Sequence, residues 1–190
     1  MCRLAIFASG NGTNAQRIIE YFKGHRQVTV ELLLCNKADA PVIGRAMRLG
    51  VRAEVFGKAE LYETGQVAAL LEKGGITHLI LAGFLWLIPS GLITRYSGRI
   101  INIHPALLPK YGGKGMYGMK VHEVVIASGD AESGITIHHV NERYDDGSII
   151  FQARCLVEPG ETAETLAAKV HKLEYRYYPG VIEKSVMRDV

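Results

Sequence analysis

At 190 residues the chain is long enough for one domain with a substantial core. Hydrophobic residues at 48% and charged ones at 22% exclude a disordered polymer. A formal net charge of +3 without a dense Lys/Arg stripe suits a small anionic substrate and speaks against a nucleic-acid footprint. Cys2, Cys35 and Cys155 are odd in number, widely spaced and free of a CxxC pattern, so they read as reduced thiols, with neither a disulfide framework nor a zinc site. The apolar start is too short for a signal peptide, and no run approaches a membrane span. The expected setting is the cytoplasm.

Apolar runs and helical periodicity alternate through the first half. Leu4–Ala8 predicts a strand, and Ala15, Ile18, Ile19 and Phe22 mark one face of a helix after it. Val28–Cys35 predicts a second buried strand. Pro41 opens a helix through Leu49, with Gly50 placed to end it. Val51–Phe56 predicts a third strand and Glu60–Lys73 one helix. His78–Ala82 and Arg99–Ile103 predict two more strands around a helix over Pro89–Tyr96. This alternation implies an α/β fold, a mostly parallel Rossmann-like sheet with helices on both faces. Residues 105–119 carry too many glycines for a regular element. A helix is expected over Lys120–Ser128, then an antiparallel strand pair, Gly134–Val140 and Ser148–Val157, in the C-terminal half. Thr162–Tyr178 predicts a last helix with Leu166, Val170, Leu173 and Tyr177 on one stripe. The expected organisation is a single domain over 1–190, with a nucleotide-binding half (1–100) and a second half (101–190) that completes the site.

Gly10-Asn11-Gly12-Thr13-Asn14-Ala15 stands between a strand and a helix. Glycine there lets a backbone approach an anion, and the first helical N–H groups face it. A tight strand–helix turn needs glycine in any case. The second strand ends Cys35-Asn36-Lys37, without the carboxylate that a dinucleotide ribose requires. No GK[ST] follows, so a single phosphate fits better than NAD.

Within Asn102-Ile103-His104-Pro105, strand alternation puts Asn102 and His104 on one face. Pro105 keeps His104 extended and ends regular pairing. An amide and an imidazole thus sit where open α/β sheets bind ligands. Asp146-Gly147 is explained as a turn pair, which leaves Asp145 as a spare carboxylate able to orient His104 if the loop folds back. His138 and His139 must face opposite ways, and spacing favours neither. His25, His78 and His122 read as surface or packing residues. No cluster has metal-ligand spacing.

Taken together, Ser9–Asn14, Asn36–Asp39, Leu81–Phe84, Asn102–Lys110, Tyr144–Gly147 and the Glu174–Pro179 helix make the whole chain resemble the phosphoribosylglycinamide formyltransferases of purine biosynthesis. The resemblance implies the formyltransferase fold and a formyl transfer from 10-formyltetrahydrofolate to the amine of N1-(5-phospho-D-ribosyl)glycinamide (glycinamide ribonucleotide). It implies Gly12, Thr13 and Asn14 on the phosphate, with His171 and Glu174 on the glycinamide portion. Leu85, Trp86, Leu87 and Ile88 would line the pterin pocket, largely through backbone. Asn141, Glu142, Arg143, Tyr144 and Asp145 would also contact the folate. Asn102 would hold the formyl oxygen, His104 would act as acid/base, and Asp145 would raise its pKa. His138 matches a family histidine and takes a supporting role. Trp86, Ala106 and Asp146 depart from the commoner Arg, Ser and Gly. The Gly112–Gly118 stretch is longer than in many relatives and reads equally as a substrate lid or a flexible loop.

No covalent intermediate, metal, membrane or nucleic-acid partner is expected, and the chain is expected to be a monomer or a homodimer. Formyltetrahydrofolate hydrolases and methionyl-tRNA formyltransferases share the machinery. They usually carry a further domain, which is not expected here, and have no need of the Gly10–Asn14 turn. A non-catalytic nucleotide- or folate-binding module would need no paired Asn102 and His104.

Overall fold

A computed structural model describes residues 1–189. Val190, the end of the expected domain, lies outside the described residues. Seven strands form one sheet: β1 (Cys2–Ala8), β2 (Val28–Cys35), β3 (Arg52–Val55), β4 (His78–Leu81), β5 (Ile100–His104), β6 (Glu132–His139) and β7 (Ile149–Leu156), in the order β3-β2-β1-β4-β5-β6-β7. The first five are mutually parallel, while β6 is antiparallel to β5 and β7 to β6. Strand order reverses between β1 and β4, which makes the crevice beyond their carboxyl ends the natural ligand site.

Helices α1 (Thr13–Phe22), α2 (Pro41–Arg48), α3 (Lys58–Tyr62), α4 (Gln66–Lys73), α5 (Ser90–Arg95), α6 (Met119–Ser128) and α7 (Ala163–Val186) complete the chain. Two apolar clusters flank the sheet. One packs α1, α2 and α7 on residues such as Leu4, Ile6 and Ile101; the other packs α4 and α5 on Ala5, Phe7 and Leu79. Alternate residues of β1 feed opposite clusters, as a strand covered on both faces requires. Among the described residues no helix is long and apolar enough to cross a membrane.

Two expected helices differ from the observed ones. Glu60–Lys73 is not one helix: Gly65, at φ 72°, turns the chain into the left-handed region between α3 and α4. Nor does α7 stop at Tyr178; it runs through Pro179 to Val186. Burial of Ile182 and Val186 in the core offsets the backbone bond that proline removes. The buried stripe of α7 is Leu166, Val170, Glu174, Tyr178 and Ile182, whereas Leu173 and Tyr177 are only partly buried. Tyr178, fully buried, places its hydroxyl 2.8 Å from the Leu81 carbonyl and 3.2 Å from that of Ile101. It thereby ties α7 to both β4 and β5.

Candidate active site

A cleft of about 750 Å³ opens at the switch point, lined by Ser9–Asn14, Leu81–Ile88, Asn102–Pro105, Gly113–Met119, His122, His138, Val140, Arg143–Asp145, His171 and Glu174, with Lys37 at its edge. At one end lies the glycine turn. Gly12, at φ 77°, has no space for a side chain, since a Cβ would come within 2.8 Å of the Val42 backbone. Close packing of α1 on α2 therefore demands this glycine whatever the ligand. No side chain caps α1, so its first amide groups stay available to an anion. Arg45 braces the turn through the Asn11 carbonyl at 2.8 Å and the Asn11 side chain at 2.9 Å.

Beside this turn, buried Glu174 accepts from Asn14 Nδ2 at 2.9 Å and from His171 Nδ1 at 2.8 Å. The carboxylate raises the His171 pKa against the opposing effect of burial. Asn14 Oδ1 is buried and has no protein partner. A polar atom in that state, next to an acceptor carboxylate, suits a ligand that brings N–H or O–H donors.

Another part of the lining is the loop from Gly83 to Ile88. Ser9 Oγ accepts from the Leu85 amide at 3.1 Å, and Tyr62 donates to the Leu87 carbonyl at 2.8 Å, so both ends of the loop are pinned. Trp86 packs edge-on against Phe56 and Phe84, with Lys58 over its ring. This slot, lined also by Val140, is apolar and suits a flat, apolar part of a ligand.

Polar groups line the same cleft. Antiparallel pairing sets His138 opposite Asn102, and Asn102 Nδ2 lies 3.1 Å from His138 Nε2. His138 Nδ1 donates to the His139 carbonyl at 2.8 Å, which leaves Nε2 to accept from the amide. His104 is only 3% exposed; its Nε2 lies 2.8 Å from the Tyr111 carbonyl and its Nδ1 3.5 Å from Asp145 Oδ2. A carbonyl can only accept, so Nε2 carries the hydrogen. Asp145, at φ 53°, turns its carboxylate inward, where Oδ1 comes within 3.7 Å of His138 and Oδ2 accepts from the Gly113 amide at 3.0 Å.

The expected upward pull of Asp145 on His104 is present but is not the largest influence. Burial acts most strongly and lowers its pKa; Asp145 does pull it up, as does the Tyr111 carbonyl, but the net direction is down. Burial also works against the Asp145 carboxylate, yet the nearby His138 and His104 rings and the bond from the Gly113 amide hold it below its ordinary value.

Residues 2–182 match the formyl transferase family. The chain is 35% identical to the phosphoribosylglycinamide formyltransferase of Bacillus subtilis (strain 168), across 97% of its own length and 94% of that protein's. This chain belongs to the phosphoribosylglycinamide formyltransferase family. It is also 41% identical to the chloroplastic member from Arabidopsis thaliana, covering 95% of this chain but only 64% of that protein. Against the member from Vigna unguiculata it likewise spans only 60% of the relative's length. A solved structure of glycinamide ribonucleotide transformylase 1 from Geobacillus kaustophilus superposes with a TM-score of 0.85 at 37% identity, covering 96% of this chain and 97% of that one.

Of the site residues expected in this family member, Gly12, Thr13, Asn14, Leu85–Ile88, Asn102, His104, Arg143, Tyr144, Asp145, His171 and Glu174 all line the cleft. Asn141 and Glu142 are not among the lining residues. Asn141 instead bonds to Asp146 at 3.2 Å and to the Arg143 amide at 2.9 Å, which shapes the loop. The two adjacent aspartates are thus distinguished, with Asp145 in the site and Asp146 in the turn. Sequence reasoning missed His122. It is neither on the surface nor simply packed: it is 2% exposed, lines the cleft, stands edge-on to His171 and has an unpartnered Nδ1. Its position on α6 beside the i+3/i+4 apolar pattern of Val121 and Val125 was the available signal. Among the described residues, no group of three or more His, Cys, Asp or Glu is arranged to hold a metal ion.

Proposed function

We propose that this protein transfers the formyl group of 10-formyltetrahydrofolate to the amine of glycinamide ribonucleotide, in the cytoplasm and as a step of purine biosynthesis. The observation that carries the reading is the convergence of Asn102, His104 and Asp145 in one cleft that the glycine turn and the apolar slot also line. Gly12, Thr13 and Asn14 would take the ribonucleotide phosphate, and Glu174 with His171 would receive the glycinamide portion. The 85–88 loop, Arg143 and Tyr144 would hold the folate, so residues 1–100 and 101–190 both serve both substrates.

Transfer begins as the free amine attacks the formyl carbon, and negative charge grows on the formyl oxygen. Asn102, fixed by His138, is the amide donor aimed at that oxygen. His104 starts neutral because burial disfavours its charge, which suits it to receive the proton the amine releases. The proton arrives on Nδ1, since Nε2 is committed to Tyr111, and Asp145 beside it compensates the new charge. As imidazolium, His104 stabilises the oxyanion and then returns the proton to the departing folate nitrogen.

Purified protein with 10-formyltetrahydrofolate is offered glycinamide ribonucleotide, water or charged initiator tRNA. Release of deformylated folate only with the ribonucleotide is the expected result. Equal release with water alone would make the protein a hydrolase.

A further inference from the structure

His104 and Asp145 are both held by one short turn, residues 111–113, whose side chains the proposed chemistry does not use. Tyr111 lies at φ 58°, a region a bulky residue rarely adopts, and this conformation sets its carbonyl 2.8 Å from His104 Nε2. Two positions later the Gly113 amide donates to Asp145 at 3.0 Å. Gly112 between them has no room for a side chain, because a Cβ would meet Leu108 at 2.6 Å and the Asp145 Cβ at 3.2 Å. The far end of Tyr111 anchors the turn. Its hydroxyl lies 2.7 Å from Asp130 Oδ2 and 2.6 Å from Ser128 Oγ, at the end of α6, and Lys110 reaches the same carboxylate at 2.9 Å.

We propose that Tyr111 is a positioning residue for the transfer: tethered through its hydroxyl to Asp130, it presents the carbonyl that keeps His104 in its Nε2–H form and leaves Nδ1 to exchange the proton. The inference rests on the acid/base role of His104 given above. Without that carbonyl, the neutral imidazole gains more by moving its hydrogen to Nδ1 and donating to Asp145. The ring would then offer no lone pair at Nδ1 to receive a proton. A strained tyrosine held at its far end is how this fold forbids the wrong tautomer.

Tyr111→Phe keeps the ring in its apolar surroundings and removes only the tether. The groups that face His104 (Asp145, His138, Glu174 and His122) remain in place. The imidazole ¹⁵N spectrum of the full chain, with the His104 signals assigned by loss in His104→Asn, reads the tautomer directly and without substrate. Wild type should show Nε2 protonated and Nδ1 bare above the His104 pKa, and Tyr111→Phe a mixture of tautomers. In turnover, kcat should fall roughly tenfold with KM little changed. The pH at which His104 titrates should move lower, since the carbonyl favours the charged ring. A wild-type spectrum with the hydrogen on Nδ1 overturns the proposal even if the variant does not fold. So does a folded Tyr111→Phe with an unaltered tautomer and pH profile. Should wild type show no formyl transfer while the variant's tautomer still shifts, the positioning role stands and the assigned reaction falls.

Discussion

Asn102 and His104 reach one cleft because strand alternation leaves them no other choice, and Pro105 stops the strand where their side chains meet open space. Each is asked to stabilise charge that exists only during transfer. Asn102→Ala should therefore lower kcat by about 10²–10³ with little change in substrate binding, as measured by steady-state kinetics. Asp145 is a second test at this scale. Its charge raises the His104 pKa against burial, so Asp145→Asn should move the His104 titration to still lower pH, readable by proton NMR of the ring. The pair Asn102/His104 was legible because a period of two and one proline are local facts. That Asp145 rather than Asp146 enters the site was legible only as an argument by elimination. Its carboxylate turns inward through a left-handed backbone at φ 53°, which no residue pattern announces.

At the scale of elements, α7 joins the two parts of the chain. Its buried stripe carries Glu174 to the cleft and Tyr178 to the carbonyls of Leu81 and Ile101. Tyr178→Phe leaves those buried acceptors without the hydroxyl and should cost about 1–3 kcal/mol, measured by urea unfolding. Glu174 should lose definition with it, so KM for the ribonucleotide should rise. The sequence pattern read β2 to the residue, since Val28 and Val30 lead into the buried apolar run Leu32–Cys35. It failed for α7. A proline looks like a stop signal locally, and only the burial of Ile182 and Val186 beyond it shows why the helix continues. The α3–α4 break had the reverse cause, because one glycine within a good helical pattern does not disclose the sign of its φ.

For the whole molecule, several histidines in one cleft make stability depend on pH. His104 and His122 are both buried, and burial lowers each below the ordinary value near 6.5. Unfolded, they protonate near that value. Between the two the unfolded chain binds more protons, so their contribution is full above pH 6.5 and is lost as pH falls toward the folded values. His171 has the opposite sign. Its pKa is raised, so its contribution is present below 6.5 and fades as pH rises through the folded value. Half-exposed beside Glu174, it should be the weaker influence. Denaturant midpoints measured from pH 7.5 down to 5 should therefore fall, and His122→Asn should flatten the slope.

The amino-acid order alone determined the parallel α/β alternation, the glycine turn, the Asn102/His104 face and the family resemblance, since each rests on contacts or periods within a few residues. Tertiary structure decided the rest. Strand order put the turn after β1 beside the loop after β4, and pairing of β6 with β5 put His138 against Asn102. Docking of α6 brought His122 inward, and the balance of burial over Asp145 set the direction of the His104 pKa. Desolvation and carboxylate distance depend on groups remote along the chain, so no local pattern encodes them.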